Sequence, residues 1–280
     1  MIPVAFEYQR ATSVDDAIAK LAASGGGKFI AGGHSLVPLM KLRLSEPAQL
    51  IDIARIPGLS GIRASGGRIA IGATTTHYEI AASPLLRDQC PMMAEAATEI
   101  GDPQVRNRGT IGGSIAHADP AADFPAVVLA LDADIVLKGP TGARTVKASA
   151  FFRGFYDVDL GAGELITAIQ FAPVKSAGYA KLRQRASHYA VVGVAAALEV
   201  SGGVIRSARV GLTGATTHAV RLTSLEAALA GKRADAVAAA CAGAANDVAD
   251  VNADLHASAD YRKAMIPVFA RRAVERALAR

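Results

Sequence analysis

Apolar runs in this chain are short, and glycine ends many of them. Lys28-Phe29-Ile30-Ala31 stops at Gly32-Gly33, while Gly66-Gly67, Gly139 to Gly142 and Gly202-Gly203 interrupt alternating stretches. Short apolar runs bounded by turn residues read as strands, and glycine gives the backbone the freedom that tight reversals need. Nowhere does an uncharged apolar run reach the length of about 18 residues that a membrane-spanning helix requires. The pattern predicts an α/β protein of many small elements. A hydrophobic fraction of 51% against 20% charged residues can fill a substantial core, and 280 residues suffice for two domains.

Ser13 before Asp15 and Asp16 reads as the N-cap of a helix running on through Ala17 to Ala23. Ser35 stands where a second N-cap would, ahead of a helix over Leu36 to Leu44, and Leu50 to Ile53 reads as a buried strand. Gly61 to Gly72 and Ile135 to Val146 read as hairpins; Thr76 to Ala82, Pro91 to Ile100 and Phe124 to Leu131 read as helices. Gly101 to Ala122 shows no helical period and reads as irregular, which is uncommon over about twenty residues of a compact domain unless they carry function. Composition shifts near Pro173 to Gly178, dividing the chain into 1–175 and 176–280. Beyond that point Tyr179 to Arg185, Val191 to Val200 and Val204 to Leu212 form an antiparallel three-stranded meander. From Leu222 onward the Ala-rich sequence reads as helix to the C-terminus, broken or kinked at Pro267.

Thirty Lys and Arg against 25 acids leave a formal charge of +5, spread along the chain. The one modest cluster, Arg271, Arg272, Arg276 and Arg280, has no aromatic platform and reads as a solvated helix face, not a nucleic-acid surface. Cys90 and Cys241 are the only cysteines, too few for a disulfide framework or for four cluster-ligating thiolates. With no apolar h-region in the first twenty or so residues, a reducing, cytoplasmic setting follows. Familiar nucleotide and hydrolase motifs fail: Phe29 follows Gly27-Lys28, Gly161-Ala162-Gly163 lacks a third glycine, and Gly33-His34-Ser35-Leu36-Val37 lacks a closing one.

Two glycine pairs remain. Ala31-Gly32-Gly33-His34-Ser35-Leu36 joins an apolar strand to a helix, where free amides form a concavity for an anion. The second lies in Thr110-Ile111-Gly112-Gly113-Ser114-Ile115-Ala116-His117-Ala118-Asp119-Pro120-Ala121-Ala122-Asp123. A diphosphate carries two negative groups and suits two such turns better than one. Each turn by itself is also explained as a tight reversal, and His117, Asp119 and Asp123 also offer imidazole and carboxylates to a divalent ion.

These two segments, the first continuing as Val37-Pro38-Leu39-Met40-Lys41-Leu42-Arg43, resemble the FAD signatures of the medium subunits of molybdenum hydroxylases, of the carbon monoxide dehydrogenase and xanthine dehydrogenase type. The likeness extends over essentially the whole chain, although many relatives carry Asn at the position of Ser114. It implies an α+β fold: a two-subdomain FAD-binding domain of the PCMH/VAO-like type, about 1–57 and 58–175, then a C-terminal antiparallel three-stranded sheet with helices. It implies FAD contacts from Ala31, Gly32, Gly33, His34, Ser35 and Leu36, and from Thr110, Gly112, Gly113, Ser114, Ala116 and His117. Ser35 and Thr110 would donate hydroxyls, and Asp123 would accept from cofactor hydroxyls. Ile166, Lys181 and Tyr189 complete the implied set, the last two beside the isoalloxazine; on the residues alone they are ordinary core and strand positions. No acid/base pair or catalytic triad is visible, which suits a flavin that performs the redox chemistry itself. The implied partners are an iron–sulfur small subunit and a molybdenum-binding large subunit, in a dimer of heterotrimers. A self-contained flavin oxidase and a non-enzymatic nucleotide-binding protein are the competing readings.

Overall fold

The three larger of the four sheets divide the 280 residues of the computed structural model into three bodies. The first contains β1 (Glu7–Arg10), α1 (Val14–Ala23), β2 (Lys28–Ile30), α2 (Leu36–Lys41) and β3 (Gln49–Asp52). Its sheet is parallel in the order β1-β3-β2, with Tyr8 opposite Leu50 and Phe29 opposite Ile51. Ser13 caps α1 as expected, its hydroxyl accepting from the Asp16 amide at 3.0 Å. Ser35 makes no side-chain cap, and α2 stops at Lys41 and not at Leu44. The cause is a left-handed residue, Arg43 (φ 59°), with Leu44 N–H returning to the Leu39 carbonyl and Arg43 N–H to that of Met40, a Schellman closure.

The second body runs β4 (Ile62–Ser65), β5 (Arg68–Gly72), α3 (His77–Ala82), α4 (Pro84–Gln89), α5 (Pro91–Glu99), α6 (Pro103–Arg106), α7 (Ile111–His117) and α8 (Asp123–Ala130). It continues through β6 (Asp134–Gly139), β7 (Gly142–Lys147), α9 (Ala148–Phe151), β8 (Phe152–Gly154), β9 (Asp157–Val158) and β10 (Leu165–Phe171). The sheet is antiparallel, ordered β4-β5-β10-β6-β7, so β10 returns late to pair between the two expected hairpins. The stretch Gly101 to Ala122 is not irregular throughout: it holds α6, capped by Asp102, and α7, capped by Thr110. Helices of four and seven residues are too short to leave a readable period. All eight residues of α8 are buried, which makes it the central helix of the molecule.

The third body contains β11 (Ala177–Arg183), β12 (Ala190–Ser201), β13 (Val204–Thr213), β14 (Val220–Arg221), α10 (Thr223–Leu229), α11 (Val237–Cys241) and α12 (Ala259–Leu278). Its antiparallel sheet, β11-β12-β13-β14, has four strands where three were expected; two-residue β14 is too short to show alternation. The tail is not helical throughout, since residues 242–258 are turns and coil. Nor does Pro267 break α12, which runs through it for 20 residues. Ile266, Phe269, Ala270, Ala273, Val274 and Ala277 are buried in the core that this helix shares with the sheet, and that packing outweighs the lost backbone bond. The basic cluster is not merely solvated: Arg276 donates to the Tyr179 carbonyl and Arg280 to that of Ala177, on the sheet-edge strand β11. The other sheet face, through Tyr179, Ala195 and Ala197, joins the core around α5 and α8.

Candidate functional site

A cavity of about 750 Å³ lies where the three bodies meet, within the range of roughly 300–1,000 Å³ usual for small-molecule and cofactor sites. Its walls are the β2–α2 turn, the β5–α3 turn, α7 with the start of α8, Ile166 on β10, and the β11–β12 turn.

In the first wall the chain leaves its polar backbone open. The amides of Gly32, Gly33, His34 and Ser35 donate to no other group of the protein, and all four residues line the cavity. Four consecutive unpaired N–H groups form a nest for an anion. Gly33 has φ 74°, a conformation that a Cβ would strain. A Cβ on Gly32 would overlap the Arg108 carbonyl, so this turn packs directly on the backbone leading into α7. His34 Nδ1 lies 3.0 Å from the Gly32 carbonyl oxygen, folding the imidazole back over its own turn. With no cap to make, the Ser35 hydroxyl is free for a ligand. Ala31 and Leu36 complete this wall.

The second glycine pair is built otherwise. It is no turn: Gly112 and Gly113 sit in the first turn of α7. The Ile111 amide donates to Thr75 O, that of Gly112 to Ala73 O, that of Gly113 to the Thr110 hydroxyl at 3.2 Å, and that of Ser114 to Thr110 O. A Cβ on Gly112 would stand 2.7 Å from the Ala73 carbonyl oxygen, so this glycine admits the backbone of the residue that follows β5. Thr110, Gly112, Gly113, Ser114, Ala116 and His117 nevertheless all face the cavity. Burial holds the His117 imidazole below its usual pKa, and its ring centroid lies 4.9 Å from that of Tyr156. The Tyr156 hydroxyl in turn donates to Asp119 at 3.0 Å. His117, Asp119 and Asp123 do not converge into a group able to hold a metal ion.

Asp123, at the N-terminus of α8, lines the cavity but is 4% exposed. Its carboxylate accepts from the Tyr179 hydroxyl and from Lys181 Nζ at 2.8 Å, two residues of β11. Burial lifts the carboxyl above the usual range, while the ammonium and the phenol pull it back. Lys181 does not reach the cavity wall: its side chain is 1% exposed and also donates to the Glu99 carbonyl at 2.9 Å. It stands behind Asp123 because β11 turns this face toward α5 and α8.

Tyr189, 44% exposed, lies at the mouth, on a turn over residues 184–189 pinned by the Gln184 carboxamide. His188 Nδ1 lies 2.8 Å from the Gly101 carbonyl oxygen, tying that turn across to the body holding α7. Neither His188 nor the pair Thr74 and His77, which also line the cavity, stood out in the sequence. The run Thr74-Thr75-Thr76-His77, one residue beyond a glycine-ended strand, was the available signal.

Residues 4–173 match the FAD-binding domain of molybdopterin dehydrogenases, and residues 177–277 match the C-terminal domain of carbon monoxide dehydrogenase flavoproteins. The chain belongs to this family. It is 43% identical, over its whole length and 99% of the relative, to the carbon monoxide dehydrogenase medium chain of Hydrogenophaga pseudoflava. A solved carbon monoxide dehydrogenase from the same organism, lacking the Mo-pyranopterin moiety of its cofactor, superposes with a TM-score of 0.94 at 44% identity, covering 100% of this chain and 99% of that one. Quinoline 2-oxidoreductase from Pseudomonas putida 86 superposes with a TM-score of 0.93 at 31% identity, covering 100% of this chain and 99% of that one. The α+β fold read from the sequence, with its FAD-binding part and C-terminal antiparallel sheet, is that of the medium chains. The protein is thus an FAD-binding oxidoreductase subunit of the molybdenum hydroxylase type, and molybdenum and iron–sulfur centres belong to other subunits. Its own two cysteines are both buried.

Proposed function

We propose that this chain is the flavin relay of a three-part hydroxylase, holding FAD in the cavity between its bodies and passing electrons from an iron–sulfur chain to an external acceptor. The observation that carries this is the nest of four unpaired amides at Gly32 to Ser35 inside a cofactor-sized cavity. Such a nest fits a diphosphate, which needs donors but no proton transfer. Bound FAD would supply the redox chemistry, exchanging electrons with donor and acceptor. The residues of this chain bind and orient. Gly32 to Ser35 hold the diphosphate, joined by the Ser35 hydroxyl. The Thr110 hydroxyl accepts from Gly113, so its own proton is left to donate to the cofactor. Asp123 keeps unused acceptor sites for cofactor hydroxyls, and Lys181 acts through it by fixing its orientation. Tyr189, with Ile166, borders the flavin end.

The partners in this reading are an iron–sulfur small subunit and a molybdenum-binding large subunit, assembled as a dimer of heterotrimers in a reducing, cytoplasmic compartment. No helix is long and apolar enough to cross a membrane. A division of the chain near residue 175, with a further one near 57, follows the same scheme. The two superposed structures are named for different substrates, carbon monoxide and quinoline, yet share this fold at TM-scores of 0.94 and 0.93. Substrate choice therefore lies in the large subunit. Purified chain should be yellow, and acid should release FAD and not FMN. A colourless preparation that takes up no flavin on reconstitution, or one that yields FMN, would sink this reading.

A further inference from the structure

The cavity wall carries four carboxylates, Asp102, Asp119, Asp123 and Glu164, and a single Lys or Arg, Lys28. The protein engages every one of the acids. Asp102 accepts from the Val105 amide, Asp119 from the Tyr156 hydroxyl, Asp123 from Tyr179 and Lys181, and Glu164 from Arg144. The cation is engaged by nothing. Lysine ion pairs are made by Lys20, Lys138, Lys147, Lys175 and Lys181, and the exposed Lys28 side chain has neither an ion pair nor a hydrogen bond. On an open surface a solvated lysine needs no explanation. Lys28 stands instead on the wall of a cofactor-sized cavity.

Its place in the fold narrows the chemistry. Lys28 opens β2, the strand that delivers the chain into the amide nest. Side chains two apart on a strand share one face, about 7 Å from each other, so Lys28 emerges beside Ile30. The Ile30 side chain reaches the nest, lying 3.4 Å from where a Cβ of Gly33 would stand. The opposite wall feels the same ammonium. Burial holds the His117 imidazole of α7 below its usual pKa, Asp119 opposes that, and the Lys28 charge adds to it. Such an effect acts over roughly 10 Å, the screening length of dilute salt. The ammonium therefore stands near both glycine-bearing walls. A diphosphate brings two negative charges between them. The nest offers dipoles without net charge, and every other charged side chain on the wall, the histidines aside, is an acid. A free ammonium supplies what the nest lacks, a charge-assisted bond.

We propose that Lys28 is the counter-cation of the cofactor's diphosphate, completing by charge what the Gly32 to Ser35 amides begin by dipole. This rests on the reading of the cavity as the FAD site. Lys28→Met in the full-length chain removes the charge and keeps most of the length of the stem. It should weaken FAD by about tenfold, the scale of one hydrogen bond to a charged group, in flavin fluorescence titrations of the apoprotein. Lys28→Arg should recover most of that loss. ADP, which carries the diphosphate without the flavin, should lose the same factor as FAD when it competes for the site. Salt supplies a readout that a structural lysine would not move. Wild-type affinity should fall between low salt and about 1 M, where the screening length is ~3 Å, and the fall should be shallower in Lys28→Met. The Lys28→Met apoprotein should melt with the wild type, since no partner inside the protein is lost. Wild-type FAD affinity in Lys28→Met would overturn the proposal. So would a loss confined to FAD with ADP unaffected, or a loss that leaves the salt dependence unchanged, because the contact would then lie away from the diphosphate. A wild-type chain that binds no FAD would overturn both this proposal and the reading beneath it.

Discussion

The walls around Gly32-Gly33 and Gly112-Gly113 look alike as sequence and differ in what they leave unfinished. At the first, four amides have no partner in the protein and Gly33 holds a left-handed backbone. At the second, the amides of residues 111–114 are all bonded, Gly112 is seated against Ala73, and Asp123 beyond it is already paired with Tyr179 and Lys181. A glycine pair announces close approach to a backbone without saying whose partner approaches. If FAD occupies the cavity as proposed, one wall is completed by a ligand and the other by the fold, so damage to the first should appear in binding and damage to the second in stability.

The largest expected effect tests the second wall. Asp123→Ala strands the buried Lys181 ammonium and should lower apoprotein stability by about 3–5 kcal/mol in urea unfolding, more than any loss of a cofactor hydrogen bond. Adding Lys181→Met should restore much of it, since the pair is then removed together. If the single variant unfolds like wild type and merely binds FAD less tightly, Asp123 belongs with the ligand-completed wall.

The glycines test the contrast directly. Gly112→Ala should cost the apoprotein roughly 2–3 kcal/mol, because its Cβ meets the Ala73 backbone, which cannot yield as a side chain would. Gly33→Ala should cost only about 1–2 kcal/mol of left-handed strain while weakening FAD by ~10-fold or more through a distorted nest. Thermal melts of apoprotein beside flavin titrations would show the two rank orders crossing. Parallel losses in both assays would erase the distinction.

The smallest pair concerns hydroxyls. Thr110→Ala removes the cap of α7 and should lower apoprotein stability by about 1 kcal/mol. Ser35→Ala removes no cap, so the melting temperature should hold while FAD affinity drops a few-fold, on the scale of ~1 kcal/mol. A lower melting temperature for Ser35→Ala would mean that this hydroxyl supports the turn after all.

Elements whose information is local were legible without coordinates: the Ser13 cap, the strand at Lys28 to Ala31, both hairpins around Gly66-Gly67 and Gly139 to Gly142, and the meander after Ala177. The two glycine-bearing segments do line one cavity, and 15 of the 16 residues expected to contact the cofactor lie on its walls. Local pattern could not reach what depends on partners far along the chain. Residues 103–106 and 111–117 form helices too short for a period, and two-residue β14 exists only because β13 offers an edge. Pro267 stays inside α12 because packing on the sheet outweighs a broken bond.

Burial was likewise decided in three dimensions. Lys181 looks like any strand lysine until Asp123, 58 residues earlier in the chain, meets it in the core. Thr74, Thr75 and Thr76 are one residue type in sequence and acquire three environments from what lies opposite each. Composition, turn residues and short-range periodicity act through neighbours within a few positions, so this sequence by itself determined a chain of many short helices and strands with an anion-ready turn at Gly32 to Ser35, and the family resemblance supplied the α+β arrangement. Which amides stay unpaired, which charges are sealed in, and which residues line the cavity depend on contacts between segments tens of residues apart, and only the tertiary structure decided them.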